Sequence, residues 1–187
     1  FTERPRLGMR LYVRGNCKRF INALVAELTN WVGTTRLKSA NLLKMVVIFM
    51  EEYLTMEAHT ILPAFIKALG FARDDNDKDL RRILLETYEL CGRFIMPETY
   101  VHYILPRLSG DAKVVQFGVD TASRVTVMEF LGAMLEGSMT REIVPLFEEL
   151  VGALTDSFVI SQDSSKLMNA AMGVMNILLS KMVGHGK

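Results

Sequence analysis

Ala23, Pro63, Pro106 and Pro145 occupy the same place in four short, similar apolar segments, at steps of 40, 43 and 39 residues. A proline inside a helix removes a backbone donor and crowds the preceding turn. Three of them at one recurring position point to a unit used repeatedly, not to a single irregular core. A period of about 40–47 residues is that of two-helix repeats, in which one hairpin cannot cover its own apolar faces and stacked neighbours bury a continuous core.

Hydrophobic periodicity agrees with the proline register. Apolar residues recur at steps of three and four between short breaks, and no period-2 strand pairs occur. The pattern predicts eight helices in four pairs: 17–28 with 36–54, 57–69 with 78–94, 97–108 with 122–135, and 140–154 with 164–183. Thr34 or Thr35 is the expected N-cap of the second helix and Asp120 or Thr121 that of the sixth, while Pro97 suits a first helical turn. Residues 1–15, with Arg4, Pro5, Arg6, Gly8, Arg10, Arg14 and Gly15, break the pattern and read as a linker or the end of a preceding repeat. The repeats then fall at 16–55, 56–96, 97–137 and 138–187. A basic residue also recurs near the start of each second helix, at Arg36, Arg82, Arg124 and Lys166, with Lys38 and Arg81 offering a rival register.

Two helices are apolar on more than one side. In 36–54, Leu37, Ala40, Leu43, Val47, Met50 and Leu54 form one stripe, and Leu42, Val46, Phe49 and Tyr53 a second beside it. Such a helix must be covered twice. The helix 164–183 is too apolar for the polar outer face expected at the end of a repeat array, so further repeats are expected beyond it and an exposed apolar surface is expected on it. The methionines at 45, 50, 168, 172, 175 and 182 read as core fillers, with an adaptable groove for partner helices as the alternative.

Chemistry is harder to find. The three histidines, His59, His102 and His185, carry no metal-ligand spacing, and Cys17 and Cys91 read as buried small hydrophobes in a reducing compartment. Neighbouring carboxylates such as Glu51–Glu52 and Glu148–Glu149 point about 100° apart on a helix and do not converge on one substrate atom. The Gly184–Lys187 tail lacks half of a phosphate-binding loop and reads as a frayed end. No catalytic, metal or cofactor-binding residue is expected, and no cofactor. Lys and Arg total 22 against 21 acidic residues, a net charge of +1, which offers no basic stripe for nucleic acid. The longest strongly apolar run, Met45–Met50, is far short of the ~20 residues that span a bilayer. Neither nucleic acid nor membrane is an expected partner.

The expected fold is therefore all-α, an α-solenoid of about four HEAT-type helical hairpins, with protein–protein binding as its work. In such an array the second helices line one surface, and their outward residues form a ladder. Candidate partner-binding residues are Lys38 and Glu52 from the first pair; Arg82, Glu86, Glu89 and Arg93 from the second; Arg124 and Glu129 from the third; and Lys166 and Asn169 from the fourth. Their mixed signs suit a folded protein more than a polyanion.

A narrower resemblance rests on the run LTNWVGTTRLKSANLL, Leu28–Leu43, together with PRLGMR at Pro5–Arg10. These resemble the HEAT-repeat dynein axonemal assembly factor family, whose members carry an acidic residue after LT where this chain has Asn30. The resemblance implies a cytoplasmic, non-enzymatic factor that helps to assemble axonemal dynein arms before transport into cilia. Dynein chains, chaperones and other assembly factors would be its partners, beside neighbouring HEAT repeats. A nuclear transport receptor or a phosphatase scaffold remains the alternative among binding proteins, and an all-α enzyme domain the alternative from another class.

Overall fold

The computed structural model describes residues 4–74, 77–108, 120–156 and 164–185, and every regular element among them is helical. In order they are α1 (Leu7–Glu27), α2 (Gly33–Met50), a 3-10 segment (Glu51–Glu57), α3 (Ala58–Asp74), α4 (Lys78–Phe94), α5 (Pro97–Leu108), α6 (Thr121–Gly137), α7 (Thr140–Ile143), a 3-10 turn (Val144–Leu146), α8 (Phe147–Leu154) and α9 (Ser165–His185). Each of the eight expected helices has its counterpart. Residues 109–119, most of the segment between the expected helices 140–154 and 164–183, and the last two residues of the 184–187 tail lie outside the described residues.

The helices form two layers. The second helices α2, α4, α6 and α9 pack side by side in one layer, and α1, α3, α5 and α8 in the other. Successive second helices touch more extensively than successive first helices, which bends a two-layer array toward its second-helix side. Pro63 lies inside α3 and Pro106 inside α5. Pro145 sits in the 3-10 turn that interrupts the seventh helix between α7 and α8, where the missing donor leaves the α-helical ladder broken.

The core runs the length of the array. At its centre Phe65 stacks on Tyr88 at 4.7 Å between ring centroids, and Phe130 meets Tyr88 edge-on at 5.0 Å. The Tyr88 hydroxyl donates to the Phe65 carbonyl at 2.8 Å, so the buried phenol is satisfied inside the stack. Cys17 and Cys91 are both buried and free, and burial pushes the Cys17 thiol up to about 11. Met50 is buried, and Met175 and Met182 pack against the core; Met45, Met168 and Met172 do not, and stand exposed. Met168, Met172, Leu179 and Val183 give α9 the exposed apolar surface expected of it.

Three boundaries differ from the sequence reading. First, α1 begins at Leu7, not near Cys17, so residues 7–15 are helix and not linker. The reason is long-range: Arg4, Arg10 and Arg14 all reach the Glu51 carboxylate, each with a contact of 2.6 Å. The ion cluster pins the first turns of α1 against the end of α2 despite Gly8 and Gly15. Second, α2 stops at Met50, because Glu51 takes a left-handed φ of 50° and the chain continues as a 3-10 segment. Third, neither Thr34 nor Thr35 caps α2: the helix starts at Gly33 with Val32 at its N-cap. The Asn30 side chain accepts from the Val32 N–H at 2.9 Å instead, and Arg36 donates to the Asn30 carbonyl at 3.0 Å. The expected cap at Asp120 does form, accepting from the Ser123 N–H at 2.7 Å, and Asp77 caps α4 in the same way through Leu80.

Candidate protein-binding groove on the second helices

The positioning of the site begins with two glycines. A Cβ built on Gly92 would lie 1.9 Å from the Met134 carbonyl oxygen, and one on Gly137 would lie 1.7 Å from the Glu89 carbonyl oxygen. Only glycine permits this backbone approach, so α4 and α6 touch backbone to backbone near their C-terminal ends. Ser138, just past α6, lies 2.8 Å from the Tyr100 hydroxyl and places its own hydroxyl 2.8 Å from the Gly92 carbonyl. That chain of hydrogen bonds ties α5 to the same junction. On the other side of α6, Lys181 of α9 donates to the carbonyls of Glu136 and Ser138 at 2.8 and 2.9 Å. Those are orphan acceptors at the helix end, and a lysine suits them.

With their ends fixed, the three helices leave an open groove of about 660 Å³ along α4, α6 and α9. Its floor is apolar, made of Leu85, Met128, Val174 and Ile177, and it is lowered by Gly132, Ala133, Ala170 and Gly173. Its rim is charged. Lys78, Arg81 and Arg82 stand at the start of α4; Glu86 and Glu89 follow on the same helix; Glu129 and Glu136 come from α6. Arg81 pairs with Glu129 at 3.0 Å and Arg82 with Glu86 at 3.3 Å. Lys44 of α2 reaches Glu86 at 2.6 Å, and this contact holds the Glu86 carboxyl below its ordinary value.

Four of the sequence candidates thus converge: Arg82, Glu86, Glu89 and Glu129 line one groove. Lys38, Arg93, Lys166 and Asn169 are exposed but lie outside its lining. Glu52 is exposed on the 3-10 segment, not on α2, 3.9 Å from Arg14. Arg124 is a correction. It was expected to point outward, yet it is 1% exposed, its charge disfavoured by burial and supported by Asp120. Packing of α6 on α3 and α5 covers position 124, which lines a pocket with Lys67, Arg73 and Tyr103. Arg36 is buried as well, so two of the four recurring basic residues are internal. Lys78, Arg81 and Glu136 were missed. Glu136 carried a signal, standing seven residues after Glu129 on one helical face, and Arg81 belonged to the rival register.

Among the described residues no three His, Cys, Asp or Glu side chains come close enough to hold a metal ion, and no helix is long and apolar enough to cross a membrane. Two layers of paired helices with a charged-rim groove on one of them define a HEAT-type α-solenoid. The family model for the dynein axonemal assembly factor 5 HEAT-repeat domain matches residues 1–185, so the chain belongs to that family. The mouse and human proteins named dynein axonemal assembly factor 5 are each 31% identical to it over 106 residues. The Xenopus laevis protein of the same name is 29% identical over 107 residues. Each match covers 57% of this chain and 12% of the relative.

Proposed function

We propose that the chain is a protein-binding part of a cytoplasmic, non-catalytic scaffold that helps to assemble axonemal dynein arms. The observation that carries this reading is the family match over residues 1–185. The relatives' name supplies the process, and the groove on α4, α6 and α9 supplies a surface for it. Its mixed rim and apolar floor have the make-up of a surface that holds folded protein, with charge for register and apolar area for affinity. With the first repeat extended back to the start of α1 at Leu7, four repeats would each contribute one second helix to this face, and the ladder Lys38, Arg82, Glu86, Glu89, Arg93, Glu129, Lys166 and Asn169 would extend the contact beyond the groove. Proximity labelling in ciliated cells, with the labelling enzyme fused to the full-length protein, tests the reading. Dynein chains and chaperones among the labelled proteins are the expected result. A set dominated by nuclear-pore or phosphatase subunits would replace it with a transport-receptor or phosphatase-scaffold function.

A further inference from the structure

We propose that the groove between α4, α6 and α9 takes one amphipathic α-helix of a partner protein. It lies so that a basic end of that helix meets Glu89 and Glu136, and an acidic end meets Lys78. The inference rests on the reading that this face binds protein, and adds what kind of segment it binds and in which direction.

Charge complementarity is the first argument. The groove is polar along its length: Lys78, Arg81 and Arg82 stand in the first turns of α4, while Glu89 and Glu136 stand toward the last turns of α4 and α6. The two helices run in the same direction, since Arg81 meets Glu129 early in the pair and Gly92 meets Met134 late. Gly137 against the Glu89 carbonyl brings the two acidic residues to a common end. Arg81 is occupied by Glu129, Glu86 by Lys44, and Arg82 by Asp79 and Glu86. Lys78, Glu89 and Glu136 make no ion pair among the described residues. Opposite charges at the two ends of a groove select both the charge and the direction of whatever lies in it.

The shape of the floor is the second argument. Gly173 lies in the middle of α9, where glycine costs about 1 kcal/mol relative to alanine. A Cβ at this position would meet nothing within 4 Å. Among the described residues no contact calls for glycine there, and its missing side chain deepens the groove beside Ala133 and Ala170. Aliphatic walls over a lowered floor suit a helix that places apolar anchors at i, i+3 or i+4, and i+7. An added β-strand would need a sheet edge, and there is none among the described residues. A polyanion would meet Glu86, Glu89, Glu129 and Glu136.

The test is a selection from a displayed library of helical peptides of about 16 residues, randomised along one face and at both ends, against the immobilised full chain. Enriched peptides are expected to carry apolar residues at i, i+3 or i+4, and i+7, with Lys or Arg at one end. Gly173→Trp, which fills the floor, should weaken the enriched peptides by roughly tenfold or more, the scale of one lost anchor. In a second selection, on Glu89→Lys/Glu136→Lys, the preference at that end should switch to Asp or Glu. The double variant alters only exposed residues, so it reads the proposal even where Gly173→Trp fails to fold. Enriched peptides that bind Gly173→Trp and parent equally, an end preference unchanged by the double reversal, or no enrichment above an unrelated helical protein would each overturn the proposal. No ciliary protein enters the selection, so its failure leaves the dynein-arm reading standing, and failure of the labelling experiment leaves the groove's preference intact.

Discussion

Gly92 and Met134 meet backbone to backbone, so close that a Cβ on the glycine would stand 1.9 Å from the carbonyl oxygen. Gly137 repeats the relationship from the other helix, against the carbonyl of Glu89. These two contacts set how α4 and α6 cross, and with them the width of the groove that opens along the turns before the junction.

Gly92→Ala should therefore destabilise, although alanine is the better helix former by about 1 kcal/mol. Forcing a methyl into backbone atoms displaces one helix, at a cost of about 2–3 kcal/mol. For a chain of this size that lowers the thermal midpoint by roughly 4–12 °C. Gly173→Ala is the control: it adds a methyl to open space and should raise the midpoint by up to a few degrees. Calorimetry on the two variants checks the pair.

Glu51 holds α1 to the end of α2. Hydrogen bonds from Arg4 and then Arg10 pull its carboxyl from the ordinary 4.5 down to about 2, against the opposing effect of burial. A carboxyl whose folded value is depressed contributes stability above its unfolded value and loses it as pH falls through the folded one. Stability should therefore decline between about pH 4.5 and pH 2, by on the order of 2 kcal/mol once solvent screening of the exposed Arg4 is allowed for. Glu51→Gln should remove that share of the pH dependence and destabilise by about 3–5 kcal/mol at neutral pH, because Arg10 and Arg14 would stay largely buried without their counter-charge. Denaturant titrations at several pH values read both effects.

Trp31 is the chain's single tryptophan and is 90% exposed, on a turn ordered by Asn30 and Arg36. Its fluorescence should resemble that of tryptophan in water before and after unfolding, and Trp31→Ala should change stability by less than about 0.5 kcal/mol. An emission spectrum of the native chain, compared with one in denaturant, decides the first point.

Several of these features were legible in the sequence and others were not, for physical reasons. The period of the prolines and the three-and-four spacing of apolar residues report local helix and the face it buries, so the eight helices and the paired layout could be read directly. Arg10 and Arg14 read as residues of a polar linker, and Arg36 as one of the basic residues that recur near the start of each second helix. Their role depends on Glu51 and on the Asn30 carbonyl, partners that periodicity does not identify. Arg124 was misplaced because helical spacing fixes a residue's angle about its own helix but not which neighbour covers that angle. The groove was half legible: Arg82, Glu86, Glu89 and Glu129 follow from helix faces, whereas its floor exists because Gly92 and Gly137 set an interhelical distance.

The second-helix groove is proposed to capture proteins of the dynein-arm assembly process. The most direct measurement compares labelling of dynein chains in ciliated cells by the full-length protein and by its Arg82→Glu/Glu89→Lys variant. Both residues are exposed, and surface changes of this kind cost roughly 0–1 kcal/mol, so the variant's thermal midpoint should stay within a few degrees of the parent. Labelling of dynein chains should fall several-fold in the variant. Undiminished labelling, with the variant folded and expressed at the parent's level, would contradict the proposal.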